Sequence, residues 1–140
     1  MLVKPNINDQ ELIDTLSKGY GLVVASLCFL PIGADFETAV YQAESSTGEK
    51  YFLKLRLGSF NRASVTTPMH LARAGVGGVI PPIPTLDGQL WVSGPSFHAI
   101  LYPYVTGENG IERQLSDRQW VEFGSTMRAF HEAQISREGM

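Results

Sequence analysis

Only one of the 140 residues is a cysteine, Cys28, so no disulfide can form within the chain. A single thiol fits a reducing compartment such as the cytoplasm. Its place in an apolar run predicts a buried structural thiol rather than a reactive one. Histidine is scarce too. His70, His98 and His131 stand far apart with no cysteine or carboxylate at ligand spacing, so no metal site is expected. Long apolar runs are missing: stretches such as Leu22 to Pro31 fall well short of the roughly 20 residues a membrane helix needs. Lys4 is followed by Pro5 and polar residues, which is no signal peptide. An excess of positive charge is also lacking. The formal net charge is −3 with acids and bases scattered, which excludes the basic stripe that neutralises nucleic-acid phosphates. Neither a nucleic acid nor a membrane is an expected partner.

What remains is 44% apolar and 18% charged, enough for one packed core and too apolar for disorder. Asn8-Asp9-Gln10-Glu11 reads as a capping box, followed by an apolar stripe at Leu12, Ile13 and Leu16 and closed by Gly19 and Gly21. Val23 to Leu30 suggests a buried strand. Thr38 to Glu44 and Tyr51 to Leu57 suggest two more, around a loop at Ser46 to Glu49. Thr67-Pro68 resembles a cap with proline at the first helical position, which puts a short helix at Pro68 to Ala74. A further hairpin is expected, with arms at Pro84 to Leu86 with Leu90 to Val92 and at Phe97 to Val105, around Asp87-Gly88. Ser116 to Gln119 is a second capping box, opening an amphipathic helix from Asp117 to about Gln134. The order predicts an α+β domain on a five-stranded antiparallel sheet.

Chemistry is suggested by an order of parts that resembles the nucleotide lobe of protein-kinase-like enzymes: a glycine-containing turn, a strand lysine, a helix, and a strand ending in Tyr102 to Gly107. Gly33-Ala34-Asp35-Phe36-Glu37 is a turn between two strands, where backbone N–H groups can lie over phosphates and Gly33 permits close approach. Lys54 lies inside the third strand, where it can set one cation against a nucleotide's α- and β-phosphates. Val40 and Phe52 are placed to sandwich a purine. At the end of the last strand, Tyr102-Pro103-Tyr104-Val105 offers the Pro103 carbonyl and the Val105 N–H to its edge; proline is tolerable where only its carbonyl is needed. Taken singly, each feature has a plainer reading: a strand lysine is usually solvated, a lone glycine usually makes a turn, and strand tyrosines usually pack. His98, His131, Trp91 and Trp120 are expected to be structural.

The same residues resemble the N-terminal lobe of the aminoglycoside phosphotransferase family, a kinase-like group, and its spectinomycin phosphotransferase branch in particular. The matching stretches are Gly33-Ala34-Asp35 with Ala39 to Ala43, Tyr51 to Leu55, Tyr102 to Val105, Asn109-Gly110, Leu115 to Trp120, and Arg128 to Glu132. The resemblance implies use of ATP and magnesium to phosphorylate a hydroxyl of a small molecule, in its best-known members an antibiotic, whence antibiotic resistance. It implies that Lys54 orients phosphates, that Pro103, Tyr104 and Val105 form the adenine hinge, and that Gly33, Ala34, Asp35, Val40 and Phe52 complete the nucleotide site. Residues 1–106 are then the nucleotide-binding lobe. Residues 107–140 are a linker and helix leading to a C-terminal lobe, to which the resemblance assigns the catalytic aspartate, the magnesium ligands and the acceptor site. The 140 residues contain neither a His-x-Asp loop nor a later acidic motif, so the chain alone is expected to be inactive. No Asp or Glu occurs between Lys54 and Asp87, so the acid that would partner the lysine on the next helix is missing; Glu37 and Asp35 are the nearest substitutes. A non-catalytic module with the same fold is the alternative. Apolar residues on the last helix suggest a homodimer.

Overall fold

The structure, a computed structural model, describes residues 3–32, 36–107 and 112–133. Helix α1 (Asp9–Tyr20) is followed by strands β1 (Val24–Leu30), β2 (Thr38–Ser45) and β3 (Lys50–Arg56). Helix α2 (Ala63–Arg73), strands β4 (Val92–Ser93) and β5 (His98–Pro103), and helix α3 (Asp117–Glu132) complete the order. The strands form one antiparallel sheet in the order β1-β2-β3-β5-β4. The expected fold, an α+β kinase-like lobe with five antiparallel strands and three helices, is the one found.

Alternation along the strands separates two faces. Ala39, Tyr41 and Ala43 of β2, Leu53 and Leu55 of β3, and Ala99 and Leu101 of β5 share one face; with Leu12 and Leu16 of α1 and Phe97 they make the core. The opposite face carries Val40 beside Lys54 and Lys54 beside Ile100 in register, with Phe52 beside Tyr102 one step along. Central β3 therefore projects Lys54 away from the core for a geometric reason: its neighbours Leu53 and Leu55 are fully buried.

Several local expectations are corrected. In α1, Asn8 caps the helix by accepting from the Gln10 N–H, so the bond goes to the second helical residue rather than to Glu11. The helix ends at Gly21 with φ 65°, whose N–H bonds Ser17 while Leu22 N–H bonds Leu16. Gly19 lies inside the last turn, where an added Cβ would come within 2.6 Å of Val92 Cγ2. Strand β1 is at the sheet edge and half exposed, because only β2 pairs with it. A bulge between Val24 and Ser26 shifts its register, so Val24 and Leu27 both pack on the core and Cys28 points outward. The thiol is exposed, not buried.

Helix α2 starts at Ala63, five residues before Pro68, which sits inside it. The proline's missing N–H breaks one backbone bond without ending the helix. Asn61 organises the start instead: its side chain accepts from the Ala63 N–H and its carbonyl from the Ser64 hydroxyl. The arms at Pro84 to Leu86 and Leu90 to Val92 do not form as strands. Thr85 and Gln89 close a turn through Thr85 N–H to Gln89 carbonyl (2.7 Å), and only Val92–Ser93 joins the sheet. In α3 both bonds of the Ser116/Gln119 capping box are present, at 2.8 and 3.2 Å. The helix is described to Glu132, and Gln134 lies outside the described residues.

Candidate functional site: an apolar cleft ending at Lys54

The sheet face opposite the core carries a cleft of about 290 Å³, lined by Ile32, Val40, Phe52, Lys54, Ile80, Tyr102, Pro103 and Val105. Three strands build it. Val40 comes from β2, Phe52 and Lys54 from β3, and Tyr102 and Pro103 from β5. The register sets Lys54 between Val40 and Ile100, and among the described residues it is the only charged one lining an otherwise apolar slot. Such a slot suits a flat apolar ring with an anionic tail.

Of the residues singled out from sequence, Val40, Phe52, Lys54, Pro103 and Val105 line this one cleft. Tyr104 does not. Its ring packs on Phe52 at 4.7 Å, with the Lys50 ammonium 5.8 Å from its centre, so it supports the Phe52 wall. Gly33, Ala34 and Asp35 lie outside the described residues. Ladder pairing stops at Tyr51 with Pro103, and the chain leaves the sheet there. The backbone of Tyr104 and Val105 is thus outside the ladder, as a hinge that binds a base edge requires. Burial pushes the Tyr102 hydroxyl above its ordinary value.

Ile32 and Ile80 line the cleft but are not among the residues that sequence order points to. Both belong to connecting segments, and no periodicity marks a loop isoleucine as a wall. Ile32, Ile80 and Val105 are about half exposed and form the cleft mouth.

The electrostatic surroundings are spare. Helix α2 holds no acidic residue, and among the described residues none forms an ion pair with Lys54. The Glu37 carboxylate lies over Gly58, where an added Cβ would meet its Cδ at 2.5 Å. Arg56, on the same face as Lys54, donates from Nη1 to Thr38 Oγ1 at 2.6 Å and from Nη2 to the Ser59 carbonyl at 3.3 Å. It ties the start of β2 to the loop leading into α2. His98 stacks on Phe60 at 4.6 Å and its Nδ1 meets Ser93 Oγ at 3.0 Å; Trp91 packs on the same Phe60. These two are structural, as expected. A larger hollow of about 790 Å³ lies between Gly107 and the first turns of α3; among the described residues that line it, Leu115 is the only apolar side chain. Among the described residues no cluster of His, Cys, Asp or Glu could hold a metal ion, and no helix is long and apolar enough to cross a membrane.

No protein-family model matches the sequence, and no curated protein matches it significantly. Solved structures do. Spectinomycin phosphotransferase APH(9)-Ia in complex with ADP and spectinomycin superposes with a TM-score of 0.86 at 30% identity, covering 96% of this chain and 41% of that one. The AMP-bound complex of the same enzyme gives 0.78 at 28% identity, over 93% and 39%. Amicoumacin kinase hAmiN, in complex with AMP-PNP, Ca2+ and Ami, gives 0.65 at 18% identity over 95% and 43%, a likeness of fold alone. The chain therefore spans less than half the length of these enzymes. Over nearly all of its own length, its fold is that of the N-terminal lobe of the aminoglycoside phosphotransferase family.

Proposed function

We propose that this chain is the ATP-binding lobe of a small-molecule O-phosphotransferase, with the adenine in the apolar cleft and Lys54 on the phosphates. Residues 1–106 form the nucleotide lobe, and 107–140 connect to the part that carries catalysis. One observation supports this most: Val40, Phe52, Lys54, Pro103 and Val105, singled out from the order of parts and the family resemblance, line a single cleft. The spectinomycin phosphotransferase structures, crystallised with ADP and with AMP, make a nucleotide the natural occupant. Magnesium would arrive with the nucleotide, its protein ligands supplied by a C-terminal lobe, and the hydroxyl acceptor would bind only where that lobe is present. A cytoplasmic location, where ATP is available, belongs to the same reading. In this reading the chain by itself would perform no phosphoryl transfer: among the described residues no cluster of carboxylates could hold the metal.

Calorimetric titration with Mg-ATP tests the reading. Saturable binding by the wild type is expected, weakened at least tenfold in Lys54→Ala with the fold intact; equal affinity in both would remove Lys54 from the site. A second reading, a non-catalytic module, is favoured by the absence of an acid on α2 to partner Lys54. It predicts no rise in melting temperature at millimolar ATP, ADP or GTP, whereas a nucleotide site requires one.

A further inference from the structure

Phe52 depends on its surroundings for its place in the cleft wall. On the face opposite the core, its neighbours in register are Gln42 of β2 and Tyr102 of β5. Along β3 the same face carries Lys50 on one side of it and Lys54 on the other. Gln42 and the two lysines are long, flexible chains, so within the ladder only the Tyr102 ring is a stiff neighbour. A second stiff neighbour comes from outside the ladder. Pairing with β3 stops at Pro103, and Tyr104 follows it directly. The Tyr104 ring stands 4.7 Å from the Phe52 ring at an interplanar angle of 32°. It is half-buried and does not line the cleft. The Lys50 ammonium, 5.8 Å from the centre of the Tyr104 ring, occupies the strand position beyond Phe52.

We propose that Tyr104 is a positioning residue for the nucleobase: packed on Phe52, its ring holds the phenyl in the cleft wall and so sets how tightly a base stacks there. The inference rests on the reading of this cleft as a nucleotide site, and adds to it a residue whose ring acts only through another. Stacking on a ring contributes what remains after that ring has been immobilised. Without the Tyr104 ring, the Phe52 phenyl gains room on the Lys50 side and leaves the wall part of the time. Binding a base must then re-seat it, and that ordering weakens the affinity. With Tyr104 present the ordering is completed on folding. The role uses the ring face and not the hydroxyl. The exposed Lys50 ammonium favours the same arrangement, but its exposure keeps its share small. The strength typical of an aromatic pair corresponds to about a three- to tenfold change in affinity.

Calorimetric titration of the full chain with Mg-ATP tests this, in the wild-type and in a Phe52→Leu background. Tyr104→Ala should weaken binding about three- to tenfold, and Tyr104→Phe should stay within about twofold of the wild type. In the Phe52→Leu background, Tyr104→Ala should add less than about twofold, because the ring it positions is gone. A general loss of structure would carry over undiminished. A wild type that binds no Mg-ATP overturns the nucleotide reading of the cleft and this inference with it. If the wild type binds, three results overturn the role of Tyr104 alone and leave that reading standing: Tyr104→Ala binding equally well, Tyr104→Phe failing to restore affinity, or Tyr104→Ala keeping its full effect in the Phe52→Leu background.

Discussion

Tyr41 is fully buried in the core face of β2, edge-on to Phe29 at 5.6 Å, and its hydroxyl has no hydrogen-bond partner. Burial, with a smaller effect from the Asp9 carboxylate, pushes it up to about 12. Tyr20 is also pushed up to about 12, chiefly by burial, its hydroxyl beside the Leu101 backbone without forming a bond of good geometry. The native state thus holds these protons more tightly than the unfolded chain, where tyrosine titrates near 10. Below about pH 10 the two tyrosines add no pH dependence. From about 10 to 12 each should cost roughly 1.4 kcal/mol of stability per pH unit, because the unfolded state releases its protons first. Urea unfolding at pH 8, 10 and 11 measures this; a flat profile would contradict it. Tyr41→Phe removes an orphan hydroxyl and should leave stability at pH 8 unchanged or raised by up to about 1 kcal/mol, and should reduce the alkaline loss. The alternation of β3 makes the burial of Leu53 and Leu55, and hence the outward aim of Lys54, legible from sequence. Tyr41's orphan state is not, because it depends on what α1 and β1 place around the ring.

The secondary-structure elements are legible where local chemistry decides and obscure where a long-range contact does. The Ser116/Gln119 box specifies the start of α3 because both of its bonds are local. Ser116→Ala should cost the helix about 1 kcal/mol, read as reduced helical circular dichroism and faster amide exchange in its first turn. The preference of proline for a first helical position points to a helix start at Pro68. Helix α2 keeps it in its interior because buried Val65, Met69 and Leu71 anchor the helix on both sides of it. The β4–β5 turn depends on a glycine in the same long-range way. Gly94 N–H bonds the Phe97 carbonyl at 2.8 Å, and a Cβ there would overlap the buried Phe97 ring. Gly94→Ala should destabilise by about 1–3 kcal/mol, seen as a lower urea midpoint with unchanged slope. An unaltered midpoint would mean that the ring has room to move.

At the scale of the whole molecule, one sheet serves two purposes. One face is sealed by α1 into a core, and the other carries the buried Ile100 beside Lys54 and a cleft lined by Val40, Phe52, Lys54 and Tyr102. Spacing along the chain points to the strand lysine and the end of β5, while Ile32 and Ile80 become visible only when the fold brings their loops to the cleft. Helix α2 carries no acidic residue; in the proposed reading the phosphates of a nucleotide are the counter-charge of Lys54. That claim is tested most directly by following backbone amide chemical shifts through a titration with Mg-ADP. The account predicts saturable shifts concentrated at Val40, Phe52, Lys54, Ile80, Tyr102 and Val105, and loss of saturation in Lys54→Ala. Absence of shifts at millimolar nucleotide, or shifts confined to α1 and the β1 edge, would contradict it.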